Sequence, residues 1–275
     1  MQFREFLKTQ LESIDSEQVV LPAGYHVVGH VVLLHLDRSA MPYAKEIGEQ
    51  ILSFEGRAKS VAVRMGPTEG VKREPQYKLV AGSCNTTTTH IEAGVKFKLD
   101  PLLITFSGGN RAERIIIADR VSPKETVLDM FSCVGQFALH IAKRKRARVF
   151  AIEINKIAFK FLEQNIELNN VEQIVKPIRG DCRITHPKNS VNRVIMGYLH
   201  NTISYLPYAI EALKNEGGTI HMHQAIPKQE ENETCKKISQ VCEERGYTTN
   251  THVRKIKNYA PGIEHLVFDI YLDNR

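Results

Sequence analysis

The chain has little that would take it to a membrane or an oxidising compartment. No stretch approaches the roughly 18 consecutive apolar residues that a membrane-spanning helix needs. Its first ten residues carry charges and no apolar centre, so they do not read as a secretory signal. The five cysteines, Cys84, Cys133, Cys182, Cys235 and Cys242, make no C-x-x-C pair. Neither a zinc site nor a disulfide framework is indicated, and a reducing cytoplasm is the simplest setting. His221 and His223 fall on one face of a strand without a third ligand nearby, so no metal is expected.

What is present fits a soluble globular protein. The 275 residues are 42% hydrophobic and 25% charged, enough for one large or two modest domains. The formal net charge of +6 favours a polyanionic partner. Basic residues gather at Lys143-Arg144-Lys145-Arg146 with Arg148, and again at Arg57, Lys59, Arg64, Lys72, Arg73 and Lys78. Two such patches could track a nucleic-acid backbone, although the first also reads as a solvated helix end.

Two halves differ in pattern. Over residues 1–103 the signals are mixed: an apolar β-branched run at Val27–Leu36, helical spacing at Tyr43–Leu52, alternation at Ser60–Met65, and a turn with an alternating strand at Glu92–Asp100. These predict a small α+β domain. Residues 104–275 alternate regularly. Strands are expected at Thr126–Phe131, Arg148–Ile154, Val175–Ile178, Val191–Met196 and Gly217–His223, with helices between them at Phe137–Arg144, Lys156–Leu168 and Ile203–Leu213. A helix over Glu233–Arg245 and two closing strands, Thr249–Arg254 and His265–Tyr271, complete the pattern. This predicts an α/β, Rossmann-like, doubly wound sheet with an antiparallel edge.

Ligands of such sheets sit beyond the carboxyl ends of the strands. Four groups fall there. Asp129-Met130-Phe131-Ser132-Cys133-Val134-Gly135-Gln136-Phe137 runs from strand through tight turn into helix. Gly135 would let the backbone approach a ligand, and the helix start would offer N–H groups to an anion. One glycine, where a dinucleotide fingerprint has three, favours a nucleoside or carboxylate over a pyrophosphate. Glu153 ends the second strand about 20 residues later, where an acid accepts from ribose hydroxyls. Asp181 could accept from an adenine amine and the N–H of Cys182 donate to a ring nitrogen; the plain alternative for Asp181 is a helix N-cap. Gly197-Tyr198-Leu199-His200 follows the fourth strand. Gly197 permits close approach, and His200 suits acid–base work unless it is only an exposed loop histidine.

Asp129-Met130-Phe131 with Gly135, Ala151-Ile152-Glu153-Ile154-Asn155 and Gly180-Asp181-Cys182-Arg183 resemble the archaeal and eukaryotic tRNA (guanine-37-N1)-methyltransferases and their relatives. So does Phe106-Ser107-Gly108-Gly109-Asn110-Arg111-Ala112-Glu113-Arg114, an F-S-x-x-N-x-x-E-R pattern. The resemblance runs from about Leu21 to the C-terminus. It implies a SAM-dependent methyltransferase sheet with S-adenosylmethionine (SAM) as co-substrate. The SAM site it implies comprises Ser107, Arg114, Asp129, Phe131, Gly135, Glu153, Asn155, Asp181, Cys182 and Gly197. Ser107 and Arg114 would hold the amino-acid end.

The methyltransferase branch carries an Asn-Leu-Pro-type motif after its fourth strand, where this chain has Gly197-Tyr198-Leu199. That departure resembles the sister branch, which moves the 3-amino-3-carboxypropyl group of SAM onto the side-ring carbon of 4-demethylwyosine at position 37 of tRNA-Phe. There the methionine-arm carbon next to sulfur, not the methyl, lies in line for attack, so positioning changes the product. His200 and Tyr198 are the proton acceptors available by position. The resemblance implies tRNA-Phe, met at the anticodon loop, as partner; with the basic residues of the N-terminal domain it points to that domain in tRNA recognition, and a monomer is expected. Two rivals compete: an N1-guanine methyltransferase with a divergent loop, and a nucleic-acid-binding module that keeps SAM only structurally. The intact Asp129, Glu153 and Asp181 set argues against the second.

Overall fold

The structure is a computed structural model that describes residues 2–11 and 18–274. The chain divides into two compact units, Met1–Gly109 and Asn110–Arg275.

The first unit is built from α1 (Phe3–Gln10), β1 (His26–Val28), β2 (Val31–Leu34), α2 (Ala44–Phe54), β3 (Ser60–Arg64), β4 (Tyr77–Gly82), β5 (Thr88–Glu92) and β6 (Val95–Leu99). Strands β1 to β4 form one sheet in sequence order, with β2 and β3 parallel and α2 as their crossover. Leu34, Ile47, Ile51, Val61 and Val63 pack its core. The apolar run at Val27–Leu36 is not one strand but a hairpin, β1 and β2, closed by Gly29-His30. The break comes from a left-handed Gly29 (φ +59°), and the turn docks on β5: His30 N–H donates to Thr88 Oγ1 at 3.0 Å. Helix α1 and strand β4, which carry weak periodicity in the sequence, are further elements of this unit.

The second unit contains α3 (Arg111–Arg120), β7 (Thr126–Asp129), α4 (Ala138–Lys145), β8 (Arg148–Glu153), α5 (Lys156–Leu168), β9 (Val175–Arg179), α6 (Cys182–Thr185), β10 (Arg193–Met196), α7 (Leu206–Ala212), β11 (Gly217–Pro227), α8 (Glu231–Glu243), β12 (Tyr247–Ala260) and β13 (Ile263–Asn274). Its seven strands lie in the order β9-β8-β7-β10-β11-β13-β12. All neighbours are parallel except the pairs made by β13. This is the doubly wound sheet with an antiparallel edge that the alternation of elements predicts. The chain winds outward from β7 to β9, then returns to the other side of β7 as β10. The carboxyl ends of β7 and β10 therefore flank the switch point, where such sheets bind ligands. The last three strands run longer than their apolar segments indicate, because the ladder of β11 with β13 extends to Pro227 and Ile263.

One face of the sheet is apolar: Val194, Ile220, Met222, Phe268 and Ile270 pack with Ile210 of α7, Leu213 just after it, and Ile238 and Cys242 of α8. The opposite side of β11 and β13 is polar and buried. Asp269, 1% exposed, accepts from Arg120 (2.6 Å), Arg254 (2.6 Å) and His221 (2.7 Å). Arg254 also makes a forked pair with Glu113 on α3, at 2.7 and 2.9 Å. Burial alone would raise the Asp269 pKa, but these donors hold it well below the usual carboxylate range.

Gly29 is a point where side-chain mass has no room. A Cβ there would lie 1.9 Å from Thr88 Oγ1, in a backbone conformation L-residues avoid. Gly29→Ala is expected to destabilise the first unit by about 1–2 kcal/mol or more. Urea titration followed by a probe in that unit would read this, and an unchanged midpoint would show that the hairpin turn can relax.

Candidate functional site

The turn after β7 is tied down by two carboxylates. Asp129 ends β7 with no exposed surface, and its side chain accepts from the backbone N–H of Phe131 (3.4 Å) and of Ala138 (3.2 Å), the first residue of α4. Donors that could have met a ligand anion are thus taken by Asp129, which shapes the turn from beneath. Burial pushes its pKa up to about 7. Ser132 N–H donates to Ile152 O on β8 (2.9 Å), and Gly135 N–H to Ser132 O (2.7 Å). Cys133 and Gly135 both take positive φ, +52° and +95°. A Cβ on Gly135 would lie 2.7 Å from Leu139 Cδ1 and 3.1 Å from Leu162 Cδ1. Packing against α4 and α5 is by itself enough to require glycine here.

Glu153 ends β8 and bridges two loops. Cys133 N–H donates to its Oε2 at 2.7 Å and Asn155 N–H to its Oε1 at 2.6 Å. Burial raises its pKa, and the backbone donors oppose that rise. Each carboxylate oxygen keeps a second lone pair, so the group can still accept from a diol. Asn155 accepts from Ile157 N–H (2.9 Å) and caps α5. Asp181 likewise caps the short α6, accepting from Arg183 N–H at 2.9 Å. It also pairs with the Arg183 guanidinium, which lowers its pKa. Cys182 is buried. The N-cap alternative for Asp181 therefore holds, and an adenine amine would have to share the carboxylate with Arg183.

After β10, Gly197 faces the ring of Phe137: a Cβ would lie 3.0 Å from its Cε2. Tyr198 stacks on Phe131 (centroids 5.2 Å, planes 20° apart), and Tyr205 meets Phe131 edge-on at 5.1 Å. The Arg183 guanidinium lies 5.6 Å from the Tyr205 ring centre. His200 is exposed, with its Nε2 3.3 Å from the Tyr259 hydroxyl. Phe131, Tyr198, Tyr205 and Arg183 thus form a π-rich wall at the carboxyl ends of β7, β9 and β10.

Arg114, on α3, is 1% exposed and donates through Nη1 to Gln136 Oε1 (3.0 Å) in the turn, which brings a cation to the same end of the sheet. Ser107 lies in the first unit, half-buried. The basic run at 143–148 stands at the other end of the sheet, where α4 finishes and β8 begins, and Arg144 there is paired with Asp119 at 2.8 Å. Tyr205 and Tyr259 lie outside the motifs read from the sequence, and Gln136 and Arg183 lie inside them without a role assigned there. Among the described residues no cluster of three or more His, Cys, Asp or Glu could hold a metal, and no helix is long and apolar enough to cross a membrane.

A family model described as the TRM5/TYW2 methyltransferase domain matches residues 88–250. The chain belongs to the TRM5/TYW2 family. A second model, the TYW2 N-terminal domain, matches residues 3–86. Among the relatives, the tRNA(Phe) (4-demethylwyosine(37)-C(7)) aminocarboxypropyltransferase of Pyrococcus horikoshii is 38% identical over 97% of this chain and 95% of its own length. The tRNA (guanine(37)-N(1))-methyltransferase Trm5b of Pyrococcus abyssi is 33% identical over 90% of this chain and 74% of its own. The crystal structure of P. horikoshii TYW2 in complex with MeSAdo superposes with a TM-score of 0.85 at 33% identity, covering 98% of this chain and 99% of that one. The TRM5/TYW2 assignment agrees with the strand order and with the open end of the sheet at β7 and β10.

The buried Asp129 gives this site a pH signature. Its folded pKa of about 7 lies above the ordinary value of 3.8, so its contribution to stability is complete below that lower value and is lost as pH rises through the upper one. Asp129→Asn is expected to flatten that decline, whose slope is at most about 1.4 kcal/mol per pH unit. Urea melts across the window would test it. An identical slope in the variant would mean that Asp129 ionises as an ordinary carboxylate.

Proposed function

We propose that this chain transfers the 3-amino-3-carboxypropyl group of SAM to the side-ring carbon of 4-demethylwyosine at position 37 of tRNA-Phe. The 38% identity over 97% of the chain to an aminocarboxypropyltransferase carries this reading, and the match of residues 3–86 to the TYW2 N-terminal domain supports it. Gly197-Tyr198-Leu199 at the end of β10 supports it, offering neither a carboxamide nor a proline where an N1-guanine methyltransferase would use them.

In this reading Glu153 accepts from the ribose hydroxyls, and Asp181 with the N–H of Cys182 holds the adenine beside the π-rich wall. Arg114 serves the amino-acid end; a part for Ser107 there rests on the family resemblance. The electron-rich ring carbon attacks the arm carbon next to sulfur. A carbon–carbon bond forms, the carbon–sulfur bond breaks with its electron pair going to sulfur, and methylthioadenosine leaves. The thioether needs no proton, so much of the catalysis is alignment. The ring carbon then loses its proton, and His200 or Tyr198 would receive it. His200 is reachable from solvent, which suits a group that passes the proton on. The acceptor tRNA, met through its anticodon loop, agrees with the basic character of the chain. A monomer working in the cytoplasm is the assembly and setting this reading takes.

Glu153→Ala leaves ribose hydroxyls and two backbone N–H groups without an acceptor, and should weaken SAM binding by about tenfold or more. Calorimetry with the folded variant would measure it, and unchanged affinity would count against the adenosyl assignment. The transferred group is tested with SAM labelled in the methyl or in the carboxyl carbon, incubated with tRNA-Phe bearing either guanine or 4-demethylwyosine at position 37. Carboxyl label is expected in the tricyclic base. Methyl label in guanine, with S-adenosylhomocysteine released, would make the chain a methyltransferase instead.

A further inference from the structure

The polar face of β11 and β13 carries a histidine pair that the reaction described above does not use. His223 Nδ1 and His265 Nε2 are 3.0 Å apart, and both residues are buried, 1% and 0% exposed. Burial lowers both pKa values, to about 4 for His265, so the pair is neutral at physiological pH. The two remaining ring nitrogens, His223 Nε2 and His265 Nδ1, have no hydrogen-bond partner among the described residues. A neutral pair that shares one N–H must present one donor and one acceptor on its outer nitrogens, whichever tautomer is adopted. Buried polar atoms left this way are costly, and two in one pair point to a group that arrives from outside.

The surroundings say what kind of group. The His223 ring packs against Phe137, 5.3 Å between centroids, beside Gly197 at the switch point. Lys257 stands directly opposite His265 across β12 and β13, so the two side chains share a face of the sheet. It is half-buried, and burial together with the Arg114 guanidinium lowers its pKa. A half-buried ammonium and a buried guanidinium, 1% exposed, therefore act on each other here. The carboxylates of this face, Glu113 and Asp269, are already engaged by Arg254, Arg120 and His221. Glu264 is engaged by Lys255. An acceptor and a donor next to paired cations suit a small zwitterion with its carboxylate toward the cations.

We propose that Lys257 and the His223–His265 pair form the subsite for the aminocarboxypropyl arm of SAM, with Lys257 joining Arg114 on the carboxylate and the histidine pair meeting the ammonium and a carboxylate oxygen. This rests on SAM being the ligand and extends that assignment to residues outside the nucleoside motifs. It makes the last hairpin of the sheet, not only the turn after β7, a determinant of which end of SAM is gripped.

The test compares three ligands by calorimetry on the full chain: SAM, decarboxylated SAM, and methylthioadenosine, which lacks the arm. The wild-type protein should prefer SAM to decarboxylated SAM by about tenfold or more. Lys257→Met, which keeps the packing stem, should remove most of that preference and leave methylthioadenosine affinity unchanged, while Lys257→Arg should retain it. His265→Phe should weaken SAM and spare methylthioadenosine. If Lys257→Met keeps the wild-type preference, or if it weakens SAM and methylthioadenosine equally, the arm subsite is elsewhere although SAM still binds. If the wild-type protein binds none of the three ligands, the SAM assignment itself falls and this proposal with it.

Discussion

Carboxylates spent on backbone N–H groups hold the ligand end of the sheet together. Asp129 and Glu153 between them take the N–H groups of Phe131, Cys133, Ala138 and Asn155. Each group belongs to a loop or helix start whose donors would otherwise be orphaned. The cost is ionising acids in low dielectric, which both side chains register as raised pKa values. The gain is that the turn after β7 and the loop after β8 share one anchor, Glu153, so they cannot move independently. A ribose bridging these loops would meet a rigid edge, and pre-organisation of this kind lowers the ordering that binding must otherwise impose.

The same economy operates across the sheet in a different chemical idiom. An Asp, Arg and His network replaces packed hydrocarbon on one side of β11 and β13, while the other side is ordinary apolar core. Asp269 is the centre because three donors converge on it from α3, β11 and β12. Removing one partner of such a buried set leaves a charge uncompensated, so the network fixes the position of α3 against the edge strands. Arg114, on that helix, is thereby set at its depth near the turn.

Much of this was legible from residues alone, and the exceptions have physical causes. The strand-helix alternation specified the second unit because each parallel strand is a short apolar run bounded by turn residues. The hairpin of β1 and β2 was hidden because only Gly29-His30 separates Val27-Val28 from Val31-Val32, and a left-handed Gly29 lets the chain reverse over those two residues. Gly135 was visible as a glycine in a turn, but its contact with Leu139 and Leu162 was not, because those residues come from α4 and α5. Asp181 shows both of its readings at once, since a helix cap is also an acid at a strand end. His265 lay beyond reach, because no local spacing announces a residue brought beside another by antiparallel register with a strand over 30 positions away, as β11 and β13 do for His223 and His265; Lys257 follows from its place opposite His265 on β12. The basic run at 143–148 was plain in the sequence, but its place at the far end of the sheet followed only from the direction of α4 and β8.

Gly197 has a consequence for what this chain tolerates at that position. Any side chain at that position would press on Phe137, 3.0 Å from where its Cβ would stand, and Phe137 in turn packs on His223. A side chain introduced there needs the Phe137 ring to give by a few tenths of an ångström, and that ring rests on the buried His223. The fitness of a substitution at 197 is therefore conditional on the residue at 137.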